Sequence, residues 1–301
     1  MGRPGLGTTR MLPRWLLPLA VRGGLLSRRA LLATAGPLLL VHAVAPPWPA
    51  FAAPGDGGRR QSLRYQIEVA GVQVGAVDVT TEAGDEAVDA RVRWRVDGLL
   101  GLLDREKGRM EARGRVDGDG RVVPASFASL FEKPDRKREV SIRYGRDGDI
   151  RELELTRDGR SRESEVPERL RDATVDTITA FWRLREWLAA GGGRDEDDGG
   201  TEERVAVFDG RRRYDLLARR LGRETAELDG RGEVRAERVE LTLVPRSGFD
   251  DGDKVFGSRL DPDEPWAELL VAVGERDGAV PISLAGRGRM KWRIVLDGEG
   301  E

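Results

Sequence analysis

From Leu63 onward the chain is written in a two-residue period, with apolar residues alternating against charged ones over short runs bounded by Gly and Asp. Successive side chains of a strand point to opposite faces, so this period encodes one apolar and one wet face, as in antiparallel sheet. Leu63, Tyr65, Ile67 and Val69 form the first run. Across an Ala70-Gly71 turn, Val72, Val74, Val77 and Val79 form the second, with Gly75 at a bulge. Val88, Ala90, Val92, Trp94 and Val96 make a third. Met110, Ala112, Gly114 and Val116 lead into an Asp117-Gly118-Asp119-Gly120 turn, and Val122 returns through Phe127 to Phe131. Further runs begin at Val140, Leu153, Val205, Tyr214, Val234, Val239, Leu269, Val280 and Met290, the last carrying Trp292. About a dozen strands in hairpin order must curve or close. The expected fold is mainly β: a large curved antiparallel sheet, or open half-barrel, forming one domain over 63–297, with 53–62 as a disordered linker.

One segment breaks the period. Residues 174–190 (TVDTITAFWRLREWLAA) carry Ile178, Phe181, Trp182 and Leu188 at helical spacing, follow a cap at Asp172 or Thr174, and stop at Gly191-Gly192-Gly193. A sheet with one apolar face needs a cover, and this helix is expected to pack on the concave face. Two readings stand: a plug that completes the core, or a movable lid over a hydrophobic cavity lined by Trp182 and Trp187.

The chemistry open to such a chain is narrow. Its single histidine, His42, lies in the N-terminal segment and there is no cysteine. The body therefore has no imidazole base, no thiolate, no His/Cys zinc site and no disulfide. Arg22, Arg28 and Arg29 precede an apolar run from Ala30 to Val44, and Ala50-Phe51-Ala52 supplies a small-residue cleavage pattern. This reads as a cleavable export signal over 1–52, of twin-arginine or general type. Pro37 breaks the apolar run, which argues against a retained membrane anchor. Cleavage would remove six arginines and no acid, so the formal charge would move from -2 by six units to -8. With acids and arginines interleaved, no basic stripe suits nucleic acid. The expected product is soluble and extracytoplasmic, in the periplasm or an equivalent space.

After the helix comes Val205-Ala206-Val207-Phe208-Asp209-Gly210-Arg211-Arg212-Arg213-Tyr214, in which Asp-Gly between alternating runs signals a type I′ hairpin. The helix ending in Leu184-Arg185 followed by this V-x-V-F-D-G-R-x-x-Y hairpin resembles the exported bacterial proteins grouped as domain-of-unknown-function family 3108. The Tyr65…Val74-Gly75 hairpin and the Trp266…Pro281-Ile282 stretch look similar to that family too, so the resemblance covers Leu63 to Leu296. It implies location and fold, and a shape akin to the open barrels that carry lipoproteins across the periplasm, but no activity.

Asp172 and Asp176, four residues apart near Glu186 and Arg185, are a conceivable acid/base pair, against the plain preference of acids for a helix start. Asp195-Glu196-Asp197-Asp198 and Asp250-Asp251-Gly252-Asp253 offer oxygen ligands but lack the EF-hand spacing, and read as solvated loops. Arg211-Arg212-Arg213 is a candidate grip for a phosphate or lipid headgroup, but on an alternating strand Arg212 would share the face of Tyr214, opposite Arg211 and Arg213, which splits the triplet between two surfaces. No metal or cofactor is expected. Three functions remain: a non-catalytic module that binds a lipid or other hydrophobic ligand, a structural or protein-interaction module with an envelope partner, and a carboxylate-dependent hydrolase. The residues expected to line a binding face are Trp94, Phe181, Trp182, Tyr214 and Trp292.

Overall fold

A computed structural model describes residues 59–97, 106–190, 202–228, 232–250, 254–255, 258–259, 261–274, 278–288 and 291–299. The expected export signal, the Gly191–Gly200 tract and all of the second acidic loop except Asp250 lie outside the described residues.

The strands are β1 (Arg59–Val69), β2 (Val72–Ala83), β3 (Ala87–Val96), β4 (Glu106–Val116), β5 (Val122–Lys133), β6 (Arg136–Tyr144), β7 (Ile150–Arg157), β8 (Arg160–Arg162), β9 (Glu202–Phe208), β10 (Arg213–Leu228), β11 (Gly232–Ser247), β12 (Lys254–Val255), β13 (Ser258–Arg259), β14 (Ala267–Gly274), β15 (Gly278–Gly286) and β16 (Trp292–Glu299). Fourteen of them form one antiparallel sheet, while β12 and β13 make a separate ribbon. Its logic is two meanders, β1 to β8 and β9 to β16, joined where β1 pairs with β16. The two edge strands, β8 and β9, are thus neighbours in sequence but stand at opposite ends of the strand order. The chain between them carries a short 3-10 turn (Glu168–Leu170) and helix α1 (Thr177–Ala190).

Laid flat, fourteen strands would extend roughly 65 Å. The sheet instead bends until its ends meet. Gly210, in the turn between β9 and β10, sits so close to β6 and β7 that a Cβ placed on it would fall 2.3 Å from Val140 Cγ1 and 3.3 Å from Leu155 Cδ2. The Ser164 hydroxyl, just beyond β8, donates to the Gly210 carbonyl (3.3 Å). These contacts define a seam where the half-barrel nearly closes. The inward residues of the alternating runs, among them Ile67, Val92, Phe127, Ile142, Leu241 and Ile294, share one buried core with the α1 residues Phe181 and Trp182.

Nine of the fourteen residues of α1 are buried, and both its ends are pinned. Its cap is Asp176 rather than Asp172 or Thr174: Oδ1 accepts the backbone N–H groups of Ile178 and Thr179 (2.9 Å each), and Oδ2 accepts the Thr179 hydroxyl (2.7 Å). The helix starts later than expected because Val175 is spent in a parallel bridge to Val207, covering part of the outer edge of β9. At the other end Arg220 donates to the carbonyls of Trp187 (2.6 Å) and Leu188 (3.3 Å), satisfying groups a helix C-terminus leaves open.

Three further readings are corrected. The first strand begins at Arg59, inside the expected linker, with Arg59 to Ser62 paired to Ala83 to Thr80. Those four residues carry no apolar side chain, so alternation could not reveal them. The Phe208 to Arg213 connection is a four-residue loop rather than a two-residue type I′ turn. Asp209 Oδ1 accepts the N–H groups of Arg211 (2.9 Å) and Arg212 (2.6 Å), and only Gly210 has positive φ, at 91°. By contrast, the Ala70-Gly71 turn has positive φ at both residues, as a type I′ hairpin requires. The third correction follows from the loop: Arg211 and Arg212 precede β10, so strand alternation does not separate them.

Candidate functional site at the seam of the sheet

The five aromatics singled out from the sequence are all core residues. Trp94, Phe181, Trp182, Tyr214 and Trp292 are each at most 4 % exposed and belong to one apolar cluster. Their nearest contacts differ. Trp94 lies over Gly108 of β4, and Trp182 lies against Gly114 of the same strand. Trp292 stacks at 5.4 Å on Trp266, with Gly286 leaving room for its indole. Tyr214 meets Phe249 edge-on at 6.4 Å, and its hydroxyl is 3.4 Å from that of Thr177. They complete the interior together, but they do not converge on either of the two cavities described next.

The larger is an open groove of about 480 Å³ across β2 to β6. Its carboxylates are each matched by a guanidinium: Asp89 with Arg113 (3.3 Å), Glu111 with Arg91 (3.3 Å) and Glu82 with Arg60 (3.7 Å). These pairs are well exposed and screened, as on an ordinary wet sheet face.

The smaller, about 50 Å³, lies at the seam. Phe127 and Val140 supply apolar lining, Ser129 a hydroxyl, and Arg138, Arg211 and Arg212 three guanidiniums, with Asp209 in the loop. The local sequence explains this assembly. On β6, Arg138 occupies the inward register of Val140, Ile142 and Tyr144, so a charge sits on an otherwise apolar stripe. On β5, Ser129 interrupts the inward series Phe127, Phe131 in the same way and is paired in register with Val140. The loop brings the other two arginines: Gly210 permits both the positive φ and the close approach to Val140, and Asp209 ties the backbone behind it. Arg212 is 4 % exposed, with its guanidinium 5.0 Å from the Phe249 ring centroid. Among the described residues Arg138 has no carboxylate partner. Burial, then the guanidiniums of Arg211, Arg136, Arg157 and Arg212, pull its pKa down to about 10, which leaves it charged at neutral pH. Sequence reasoning missed Arg138; the inward charge on a period-two apolar run was the available signal.

The carboxylates weighed for acid/base chemistry are dispersed. Asp172 is exposed in the turn before α1, whereas Asp176 is fully buried and both its oxygens serve the cap. Burial raises Asp176 to about 6, against the opposing pull of the hydrogen bonds from Thr179 and Ile178. Glu186 accepts the Val122 N–H (3.0 Å) and is likewise raised by burial. Arg185 is buried in α1 and lowered to about 10 by desolvation. Among the described residues no group of three acidic or histidine side chains is placed to hold a metal ion.

Residues 64–280 match the family model described as "Protein of unknown function (DUF3108)". The chain belongs to that family. Its seam hairpin is the V-x-V-F-D-G-R element noted in the sequence. Among solved structures, the chain is similar to a β-barrel-like protein of the domain of unknown function DUF1849 from Brucella abortus. Identity is 12 % and the TM-score 0.43, over 79 % of this chain and 95 % of that one. It is also similar to a "putative lipoprotein" from Parabacteroides distasonis, at 8 % identity and a TM-score of 0.31, over 82 % of this chain and 97 % of that one. No curated protein matches the chain.

Proposed function

We propose that this family member is an exported, non-catalytic binding module of the cell envelope, and that it holds a lipid or other amphiphilic small molecule which enters at the seam. The observation that carries this reading is the seam cavity, whose lining sets Phe127 and Val140 beside the Ser129 hydroxyl and three arginines. Such a mixed lining suits a molecule with one apolar and one polar end. Export rests on the arginine, apolar and A-x-A order of the first 52 residues. Among the described residues no helix is long and apolar enough to cross a membrane. The non-catalytic reading is supported by the lack of cysteine and of any histidine beyond His42, and by the matching of the groove carboxylates by guanidiniums.

A second reading, a structural or protein-interaction module, is favoured by the double pinning of α1 through Asp176 and Arg220, which makes the helix a plug rather than a lid. Native mass spectrometry of the chain from a periplasmic extract, followed by denaturing extraction, separates the two. A stoichiometric lipid-like adduct, lost in a folded Val140→Asp variant, supports the ligand reading. A clean apo mass across preparations overturns it and leaves the interaction module.

A further inference from the structure

The outer edge of β10 carries an inference about a partner. β9 lines that edge only from Arg213 to Arg219, whereas β11 lines the other side of β10 as far as Leu228. Among the described residues, the backbone groups of 220–228 that point away from β11 therefore meet no strand. The two ends of the sheet are managed differently: β8 has only three residues, and Val175 bridges to the outer side of β9. A long open edge is a template for a further strand. A bulge at Leu221, with Gly222 at a φ of 128°, bends β10 just past its last residue paired with β9. From there residues 221–225 are exposed without a break, on both faces of the strand. Leu221, 36 % exposed, is one of two large hydrophobic side chains standing in solvent among the described residues. A bare two-stranded ribbon of this kind is only marginally stable by itself.

The charges along this edge select its occupant. When a strand pairs antiparallel with its own copy about a two-fold axis, the residue on the axis faces itself, and residues equidistant from it face each other. An axis at Arg223 or at Glu224 would set like charges face to face. An axis at Thr225 sets Arg223 opposite Glu227 of the second copy, twice over by symmetry. The same register puts Glu224 against Ala226 and Gly222 against Leu228, so no like charges are opposed. Within the ribbon Glu227 faces another acid, Glu233, and the pairing brings it a cation from the open side. We propose that the 222–228 edge of β10 is a homodimer interface, at which two copies of this chain join their ribbons antiparallel about Thr225.

Sedimentation velocity of the purified full chain over a wide concentration range tests this. So short an interface implies a weak, reversible dimer that dissociates on dilution. Arg223→Glu and Glu227→Arg each replace two ion pairs by two repulsions, and each is expected to weaken dimerisation about tenfold or more. The decisive arm is a mixture. Arg223→Glu presents acids at both positions and Glu227→Arg presents arginines at both, so the two variants should form a mixed dimer at concentrations where each alone is monomeric. The double variant Arg223→Glu/Glu227→Arg should dimerise as the parent does. Both side chains are exposed, and unchanged urea midpoints establish that the variants fold. Should either fail to fold, Thr225→Asp sets two carboxylates together on the axis and is expected to weaken the dimer similarly. A parent that stays monomeric throughout, or dimers indifferent to the single variants, overturns the interface. Dimers lost in both variants and not regained on mixing overturn the two-fold register. Slow amide exchange over 221–228 in the dilute monomer would mean that the chain itself covers this edge, and overturns the proposal too.

Discussion

On β10 and β11 the buried carboxylates accept from guanidiniums, while at the seam the half-buried Arg138 has no carboxylate partner among the described residues. Asp215 accepts from Arg213 (2.6 Å), Arg246 (2.7 Å) and Arg204, Glu240 from Arg219 and Arg287, and Glu237 from Arg220 (2.6 Å). Burial pushes Asp215 upward, yet the three hydrogen-bonded arginines outweigh it and hold the carboxyl below its usual range. Arg138 is only half-buried, and burial followed by the arginines around it lowers its pKa. Both regions are built from the arginine-rich, interleaved composition that pervades the chain, so composition cannot distinguish them. The difference arises from which strand face a charge occupies and from what the bend of the sheet carries against it. The wall regions are closed charge networks, whereas Arg138 at the seam stands outside any ion pair among the described residues.

Four substitutions probe this contrast. The largest effect is expected from Asp215→Ala, which leaves three guanidiniums without their shared acceptor. A loss of about 3 kcal/mol in urea unfolding is expected, below the full value for a buried pair because Arg204 and Arg246 are half-exposed. Next is Asp176, a buried carboxylate compensated only by dipoles. Its folded pKa of about 6 lies above the ordinary 3.8, so the folded state holds the proton more tightly. Its contribution is therefore fully present below about pH 4, declines as pH rises through 6, and is level above. The span is at most about 3 kcal/mol. Asp176→Asn should flatten that part of the stability profile in chemical denaturation at stepped pH. An unchanged slope would assign the pH dependence to other groups.

Gly210→Ala should cost about 2 kcal/mol, from the positive φ and the clash with Val140 together, and should loosen the seam. Amide exchange near Ser164 and Val140 should quicken, while exchange across β10 and β11 should not. The smallest effect is the most pointed. In anion-free buffer Arg138→Met should raise stability by up to about 1 kcal/mol, because it removes repulsion and keeps the apolar stem. A clear loss of stability would mean that Arg138 is compensated after all.

Much of the fold was legible because period two is unaffected by distant context. The Leu63, Val88 and Val140 runs alternate in the structure as they do in the sequence, and Phe181 and Trp182 are buried in the core, within a first half of α1 that is enclosed on every face. The seam was not legible. Bringing Arg138 to Arg211 depends on the curvature summed over the whole sheet, which no local pattern records. Treating Arg211 and Arg212 as strand residues then concealed their shared cavity. The helix start was misplaced for a similar reason: Val175 bridges to Val207, 32 residues onward, and that pairing moves the cap to Asp176. Aromatic residues drew attention as ligand contacts because of their size, yet Trp94, Trp182 and Trp292 fill space above Gly108, Gly114 and Gly286. Large side chains matched to glycines across a sheet are the mark of packing.

The most direct test of the contrast is urea unfolding of Asp215→Ala beside Arg138→Met. The account predicts a loss of about 3 kcal/mol in the first and none in the second. Comparable losses in the two variants would contradict it.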